Sequence, residues 1–382
     1  MRRPPILAAI LLALLAAPAA AQTLRVATFN AELARDGPGV LLHELRTKPK
    51  ERALSAVAVI KAVRPDVLVL QRIDHDMRGH ALAAFAQLLA AGEDGIDYPY
   101  SFHAPVNAGV PSGLDLDGDG LVMGTGDALG WGRYPGNGGM AVLSRLPIDA
   151  EAARSFRGAL WRDQPDARLP ARADGAPYFP PEALDVVPLS SRAHWEAPVI
   201  LPDGRRLALL TAHPTPPLFD GPERLNVLRN RDEVLFWARY LDGAELADDQ
   251  GRVATAPGGP LVVLGDFNLD PLDGAGDGAA MARLLDHPRL QNPSPASMGA
   301  EAAARDQGGA NARHRGAAAL DTADWRDEPG PGNLRVSYVL PSRDLEVVGA
   351  GVFWPAPDDP QAALLDGAGP HRLVWVDLRL GP

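Results

Sequence analysis

The chain has 382 residues, no cysteine and a formal net charge of −11 at pH 7. Without cysteine there is no disulfide, so an apolar core alone must stabilise the fold. The negative charge argues against tight, non-specific binding to nucleic acid, which depends on neutralising phosphates with lysine and arginine. It leaves room for a local pocket lined with arginine.

Residues 1–21 have the pattern of a secretory signal peptide. A basic start is followed by the apolar residues 6–15 and by small residues at 19–21, where cleavage is expected. We therefore expect residues 22–382 to form the mature domain, in the periplasm or outside the cell. The apolar run is too short for a membrane-spanning helix, and no later segment is long enough to span a membrane. The alternative is an uncleaved anchor.

The first half of the mature chain alternates between predicted strands and helices. The apolar pattern predicts strands at 24–30, 66–71 and 138–148, helices at 51–63 and 79–91, and a loop-rich stretch at 92–137. The second of these strands is apolar throughout, as in a sheet that is buried on both faces.

Residues 115–120 match the first half of a calcium-binding loop. Asp115, Asp117 and Asp119 alternate and Gly120 follows, which supplies hard oxygen ligands and a sharp turn. The second half of the motif is missing, because Gly126 stands where a bidentate glutamate is expected. A structural calcium ion and an Asx-rich surface turn both stay open as interpretations.

The second half of the chain contains two irregular segments. Residues 158–188 resemble an insertion that lies over the fold, and residues 291–333 a long loop or partly disordered segment that acts as a solvated tether. The predicted strands lie at 197–200, 206–212, 260–264, 334–340, 345–353 and 373–378, and the predicted helices at 224–241 and 278–285.

Polar side chains stand at the ends or starts of five predicted strands. They are Asn30, the 72–76 cluster, His213, Asp266 with Asn268, and His371. Because side chains alternate along an extended chain, Asp266 and Asn268 point to the same side. Such groups suit phosphoester hydrolysis: carboxylates and amides hold a divalent cation, an aspartate aligns or deprotonates water, and a histidine stabilises charge developing on oxygen. The sequence signatures of serine hydrolases, nucleotide-triphosphate enzymes and zinc proteases are absent.

The order of these motifs resembles that of the endonuclease/exonuclease/phosphatase family, the DNase I-like phosphoesterases. The resembling segments are 27–30, 65–71, 139–145, 211–214, 265–268, 335–340 and 371–372. Each motif is weak by itself, but their order, from about residue 24 to 379, is specific. The resemblance implies an α/β fold: a four-layer α/β sandwich in which two central mixed β-sheets are flanked by helices.

The resemblance also implies roles for the polar residues. Asn30 would lie beside a divalent metal, Mg²⁺ or Mn²⁺, and the substrate phosphate. His213 would contact the phosphate and His371 would stabilise it. Asp266, helped by Asn268, would position or activate the attacking water. The chain would then be an exported metal-dependent phosphoesterase that hydrolyses a phosphomonoester or phosphodiester without a covalent intermediate.

Three positions depart from the family pattern. A glutamate metal ligand is expected where Arg72 stands, an aspartate where Ser337 stands, and an aspartate where Pro370 stands. In one interpretation, Asp74 and Asp76 reach back to hold the metal, and Arg72 binds the substrate phosphate through its guanidinium. In the other, the metal site is eroded, and the chain is a catalytically degenerate binding protein of the same fold with calcium as a structural ion.

Further candidates lie outside these motifs. Asn226 and Arg231 fall on the predicted helix at 224–241, where Asn226 shares a face with Asn230, and they either contact substrate or belong to a cap network or a solvated face. His194 either lines the cleft or lies at the rim of the insertion. The substrate would be a small or lipid-like phosphoester, or nucleic acid acting only as a substrate, and the sequence predicts no oligomeric state.

Overall fold

The computed structural model describes residues 23–381, so the predicted signal peptide lies outside the described residues. Within this range the strands are β1 (Thr23–Leu33), β2 (Val67–Ile73), β3 (Tyr100–Phe102), β4 (Gly139–Ser144), β5 (Arg154–Ser155), β6 (His194–Ile200), β7 (Arg206–Ala212), β8 (Leu246–Ala247), β9 (Val253–Ala254), β10 (Leu261–Asp266), β11 (Ala323–Asp324), β12 (Asn333–Leu334), β13 (Ser337–Pro341), β14 (Glu346–Val352) and β15 (Val374–Arg379). The helices are α1 (Val40–Thr47), α2 (Glu51–Val63), α3 (His80–Ala90), α4 (Leu225–Leu241), α5 (Gly278–Leu285) and α6 (Met298–Gln307). Among these residues, no helix combines the length and the apolar character needed to cross a membrane.

Two mixed sheets form the centre of the molecule. The first has the strand order β14-β15-β1-β2-β4-β3 and the second β13-β10-β7-β6-β5. Each contains one parallel pair, β1 with β2 and β10 with β7, and its other pairs are antiparallel. The short strands pair separately, β8 with β9 and β11 with β12.

The alternation of side chains along the strands builds four layers. On β2, Val69 packs between the two sheets, whereas Leu70 packs against residues of α1, α2 and α3. On β10, Leu264 packs between the sheets, whereas Val263 packs against residues of α4 and α5. Both faces of each strand are therefore apolar, as expected for sheets covered on both sides. The predicted four-layer α/β sandwich is confirmed.

The same alternation directs polar side chains into the space between the sheets at one edge. Val26 on β1 and Leu264 on β10 both pack between the sheets. Residues two or four positions further along a strand share that face. Asn30 on β1, before the irregular last part of that strand, and Asp266 at the end of β10 therefore point into the inter-sheet space, and both are buried.

Residues 291–333 contain a helix that the prediction of a long loop or partly disordered tether did not include, and most of the remaining segment is irregular. They contain α6, whose Ser297 accepts a hydrogen bond from the backbone N of Ala300 at 3.2 Å as an N-cap. Ala300 and Ala302 are buried. The helix packs through small residues, which give no clear apolar period in the sequence. The helix α1 was likewise not predicted.

The segment 158–188 packs over the α4 side of the second sheet. Trp161 is 1% exposed, and its indole Nε1 donates a 2.8 Å hydrogen bond to Asp232 on α4. Phe179 and Val187 belong to the same apolar cluster as Trp161. The segment thus contributes large side chains to the core of this half of the molecule.

The close packing of α6 predicts that Gly299→Ala destabilises the fold, although alanine favours helices. A Cβ at Gly299 would lie 2.3 Å from the carbonyl oxygens of both Trp354 and Pro355, so the helix must move away. We expect a loss of about 1–3 kcal/mol in the free energy of unfolding, measured by urea denaturation. Gly258→Ala is the control, since a Cβ there meets no atom within 4 Å. Equal stability of the two variants would contradict this packing.

Candidate functional site

A buried carboxylate lies where the two sheets meet. Asp266, the last residue of β10, is 0% exposed. The side-chain Nδ2 of Asn30 donates a 2.7 Å hydrogen bond to its Oδ2, and the backbone N of Asn268 donates a 3.1 Å bond to its Oδ1. The Nδ1 atoms of His371 and His213 lie 3.4 Å and 3.7 Å from the same Oδ2. The structure thus brings together the five residues that the motifs singled out, which we call the Asp266 cluster.

The backbone around Asp266 is shaped for this arrangement. Gly265 lies so close to β7 that a Cβ would be 2.3 Å from the carbonyl oxygen of Ala212, so only glycine fits. Asn268 has a left-handed backbone, with φ of +53°, which asparagine tolerates better than most residues. Its Nδ2 donates a 2.8 Å hydrogen bond to the carbonyl of Pro214. Asn268 therefore ties the loop after β10 to the loop after β7.

His213 is held as a neutral imidazole. Its Nδ1 lies 3.1 Å from the backbone carbonyl of Asp266. A carbonyl can only accept, so Nδ1 carries the proton and Nε2 is left with its lone pair. Burial lowers the pKa of His213 to about 4; the Asp266 charge opposes this shift, and Arg192 and Arg72 reinforce it.

His371 is bound more loosely. Its Nδ1 is buried and has no hydrogen-bond partner among residues 23–381. Burial lowers its pKa, the charges of Asp266 and Glu32 oppose the shift, and Arg72 adds to it. Ser337 lies opposite Asp266 in the β10–β13 ladder, but its buried Oγ also has no partner within the described chain. The serine therefore does not orient the histidine, whose Nδ1 faces Asp266 Oδ2 at 3.4 Å.

Arg72 brings a positive charge to the cluster. It has a left-handed backbone, with φ of +55°, and the ladder between β2 and β4 shifts register around it. Its charge adds to the lowering of the pKa of His213 and His371, which burial causes in the main. Its Nε is buried and has no hydrogen-bond partner in the part of the chain that the structure describes.

Arg192 is a second arginine at this site, and the sequence analysis missed it. It precedes β6 by two residues and is 7% exposed. Its Nε donates a 3.1 Å hydrogen bond to the carbonyl of Gly138, and a Cβ on Gly138 would lie 3.9 Å from both Cα and Cγ of Arg72. Burial and the nearby Arg72 charge lower the pKa of Arg192 to about 10. In the sequence, the one feature that indicates this role is that Arg192 precedes β6, the strand that pairs with β7.

Asp74 and Asp76 bind backbone amides outside the Asp266 cluster. Asp74 accepts hydrogen bonds from the backbone N of Arg35 and of Gly138, both at 2.8 Å. Asp76 accepts one from the backbone N of Ala81 at 2.8 Å, in the first turn of α3. Both line a cavity of about 330 Å³ to which no member of the cluster contributes. These contacts give no support to the interpretation that the two carboxylates hold a metal beside Asn30.

Two candidates on α4 face other partners. The Nδ2 of Asn226 donates a 2.7 Å hydrogen bond to the carbonyl of Leu218. Arg231 pairs with Asp232, and its Nε lies 3.7 Å from Asp277. Within residues 23–381 neither forms a hydrogen bond or ion pair with the Asp266 cluster, so their contacts fit the alternative of a local polar network.

Asn230, on the same helix, supports the site from behind. It is 0% exposed, and its Nδ2 donates to the carbonyls of Thr215 at 2.8 Å and Phe267 at 2.9 Å. These two carbonyls belong to the loops after β7 and β10. Asn230 therefore fixes the spacing between the loops that carry His213 and Asp266.

His194 is a buried structural residue. Its Nδ1 lies 2.7 Å from the hydroxyl of Ser190, and its Nε2 lies 2.9 Å from the carbonyl of Glu233. It packs against the ring of Phe236, with centroids 4.4 Å apart. Both ring nitrogens are occupied, so His194 does not line the cleft.

The aspartate-rich loop gathers a different set of residues from the predicted one. Asp115, Asp117 and Asp127 each place a carboxylate oxygen within 4.8 Å of the others. Asp119 lies outside this group, and its Oδ1 accepts a 2.7 Å hydrogen bond from the backbone N of Leu121. Asp127 directly follows Gly126, where the motif leads one to expect glutamate. The sequence analysis missed it because the carboxylate is displaced by one residue.

The profile of the endonuclease/exonuclease/phosphatase family matches residues 27–367. The chain belongs to this family. A solved endonuclease/exonuclease/phosphatase from Beutenbergia cavernae DSM 12333 has a TM-score of 0.51 at 21% identity, covering 94% of this chain and 72% of the other. The family protein from Leptotrichia buccalis C-1013-b has a TM-score of 0.48 at 14% identity, and the match covers 94% of this chain and 100% of the other. The human Nocturnin catalytic domain with bound sulfate has a TM-score of 0.46 at 17% identity, and the match covers 94% of both chains. No curated protein matches the chain.

Endonuclease/exonuclease/phosphatase enzymes hydrolyse phosphate esters and typically use divalent metals, but the Asp266 cluster does not fit such an ion. Within residues 23–381, three acidic or histidine ligand atoms come within 4.8 Å of one another only at Asp115, Asp117 and Asp127. Asp266 is the sole carboxylate of its cluster, and its Oδ2 already accepts from Asn30. The guanidinium of Arg72 would repel the cation.

The buried environment of His213 predicts an imidazole that stays neutral down to about pH 4. In the unfolded chain this side chain takes up a proton near pH 6.5, whereas in the folded chain it stays neutral. Lowering the pH from about 6.5 to 4 therefore lowers the contribution of His213 to the free energy of unfolding. Histidine ¹⁵N NMR on the folded protein measures the titration, and His213→Gln assigns the signal. A titration midpoint near 6.5 for His213 would contradict the buried neutral state.

Proposed function

We propose that this protein is a phosphoesterase, which hydrolyses a phosphomonoester or phosphodiester by direct attack of water at the Asp266 cluster. One observation carries the proposal. A fully buried carboxylate, held by the amide of Asn30, has two histidine Nδ1 atoms within 3.7 Å of its Oδ2. Carboxylates and imidazoles at such spacing can move a proton and bind oxygen in one small volume.

In the proposed reaction, the oxygen of a water molecule attacks phosphorus while the bond from phosphorus to the leaving oxygen breaks. Asp266 orients the water and accepts its proton, because it is the one carboxylate of the cluster. Asn30 and the Asn268 backbone hold that carboxylate in place. The leaving oxygen takes a proton from solvent. His371, beside Asp266, binds a phosphoryl oxygen.

No step of this mechanism uses a metal ion. The family and the sequence led us to expect Mg²⁺ or Mn²⁺ beside Asn30, but Arg72, Ser337 and Pro370 stand where the family pattern has acidic residues. The positive charge that a phosphate needs must therefore come from elsewhere in the site. The arginines near His213 and His371 are the groups available.

The substrate and location proposed here follow from the sequence. Residues 1–21 have the features of a signal peptide, and the formal charge is −11, so we propose an exported enzyme acting on a small or lipid-like phosphoester. Nucleic acid enters only as an alternative substrate, since a negative protein has little non-specific affinity for it.

Hydrolysis of p-nitrophenyl phosphate, bis-p-nitrophenyl phosphate and plasmid DNA tests the proposal. We expect turnover of at least one of these, and a fall of about 100-fold or more in kcat for Asp266→Asn, which keeps the size of the side chain but cannot take a proton. Each assay is run with EDTA, Mg²⁺, Mn²⁺ and Ca²⁺ in turn.

Asp286→Asn is the matched control, because Asp286 is an exposed aspartate just after α5. It should keep wild-type kcat. If no substrate is turned over under any condition, or if Asp266→Asn is as active as Asp286→Asn, the hydrolase proposal is wrong. Phosphate binding without turnover would instead favour the second candidate, a binding protein of this fold, which the loss of acidic residues at positions 72, 337 and 370 specifically supports.

A further inference from the structure

We propose that Arg72 and Arg192 together bind the phosphate group of the substrate and supply the positive charge that a divalent metal supplies elsewhere in the family. This inference rests on the proposed function in placing a phosphate at the Asp266 cluster. Arg72 stands where the family pattern has a metal ligand. Arg192 lies outside the segments that carry the family resemblance.

The first argument is the proximity of two like charges. Arg192 donates through Nε to the carbonyl of Gly138, and the Cα and Cγ of Arg72 pack against the same glycine. Arg192 is 7% exposed, and neither guanidinium forms an ion pair in the described part of the chain. Two guanidiniums in a poorly solvated place repel each other unless an anion lies between or beside them.

Arg72 has a buried donor that the protein does not use, whereas Arg192 already donates through Nε to the carbonyl of Gly138. Nε of Arg72 is buried without a partner among residues 23–381. Glu233 is the acidic side chain whose charge opposes the effect of burial on the pKa of Arg192, and its carboxylate oxygens accept from the backbone N of Ser191 at 2.6 Å and of Thr215 at 2.7 Å. A phosphate with three acceptor oxygens satisfies the free donors, and guanidinium groups match its geometry.

The positions of Arg72 and Arg192 relative to the two histidines follow from the strands beside them. Ala212 of β7 pairs with His194 of β6, so His213 and the residues just before β6 leave the sheet side by side. Arg72 follows Gln71, which pairs with Asn30, and Asn30 donates to the Asp266 oxygen beside which His213 and His371 lie. A phosphate bound by the two arginines would therefore lie beside both rings, where Asp266 can deliver water to phosphorus.

Isothermal titration with inorganic phosphate in EDTA tests this inference separately from hydrolysis. We expect wild-type protein to bind phosphate with the same dissociation constant in EDTA and in Mg²⁺. Arg72→Gln and Arg192→Gln should each weaken binding by about 10- to 100-fold, the effect of losing a charged hydrogen bond. Arg46→Gln, which changes an exposed arginine on α1, should bind as the wild type does.

The outcomes separate the two proposals. Phosphate binding that requires Mg²⁺, or that survives in both arginine variants, overturns the inference even if turnover is observed. Binding in EDTA that both variants lose supports it even if no substrate is hydrolysed, and then only the hydrolase proposal fails. Circular dichroism of each variant shows whether it is folded, and Arg72→Lys, which keeps the charge, should retain part of the affinity.

An independent observation carries a second inference: we propose that Asp115, Asp117 and Asp127 bind a calcium ion. Three carboxylates with oxygens within 4.8 Å of one another concentrate negative charge. Asp127 is 2% exposed, and while its Oδ1 accepts from the backbone N of Leu116 at 2.7 Å, its Oδ2 is buried with no partner within residues 23–381. A buried carboxylate oxygen with no donor calls for a cation, and calcium prefers hard oxygen ligands from such loops.

The position of the loop gives this ion a structural role. Leu116, between two of the carboxylates, packs in the same apolar cluster as Phe179 and Val187 of the segment 158–188. The backbone N of Ser112 donates to the carbonyl of Asp127 at 3.0 Å, so the loop closes on itself. An ion here fastens the aspartate loop to the layer that covers α4.

Thermal unfolding of EDTA-treated protein tests the calcium site without reference to activity. Calcium chloride should raise the Tm of the wild type by about 3 °C or more. Asp127→Asn, which keeps Oδ1 for the Leu116 amide, should abolish the rise, whereas Asp119→Asn, an aspartate of the same loop outside the triad, should preserve it. No rise in the wild type, an unchanged rise in Asp127→Asn, or an equal response to Mg²⁺ would overturn the assignment.

Discussion

The burial of the Asp266 carboxylate is the constraint on which the site depends. A carboxylate without solvent contact is costly unless hydrogen bonds satisfy it. Its oxygens are satisfied by Asn30, which comes from the other sheet, and by the backbone of Asn268. The polar link between the sheets thus forms only when β1 and β10 are packed in this register. The same packing places His213 and His371 beside the carboxylate, so the site and the core form together.

The charges around this carboxylate favour a negatively charged ligand over a cation. Burial and two nearby arginines lower the pKa of His213, which keeps the ring neutral. Asp266 therefore has neutral donors in Asn30 and the backbone of Asn268, and Arg72 and Arg192 bring positive charge to the same site. This arrangement suits a ligand that is itself negative. A divalent cation in the same place would meet one carboxylate that Asn30 already shares, and the charge of Arg72 would oppose its binding.

Much of the fold was predictable from the sequence because the strands alternate so regularly. The alternation of side chains that places Val26 and Leu264 between the sheets also places Asn30 and Asp266 there. Polar motifs near strand ends were therefore enough to predict the cluster. One helix was not predictable, for a physical reason. The helix α6 buries alanines and Gly299 instead of large side chains, so its apolar period is weak.

The missed site residues depend on contacts that local sequence does not show. Arg192 reaches the site through a strand register and a hydrogen bond to Gly138, which is 54 residues away in the chain. Asp127 completes its triad from a position shifted by one residue relative to the motif. Asn226 shares a helical face with Asn230 in the sequence, but the partners of Asn226 and Arg231 on α4 and in neighbouring loops determine where these side chains point.

A crystal structure grown in EDTA and soaked with tungstate, followed by a second crystal soaked with Mn²⁺, tests the central claim most directly. Both elements give anomalous scattering, so each is located without ambiguity. The account predicts tungstate within hydrogen-bond distance of Arg72 and Arg192 beside His213, and no Mn²⁺ at Asp266. Mn²⁺ bound between Asn30 and Asp266, with tungstate absent from the two arginines, would contradict it.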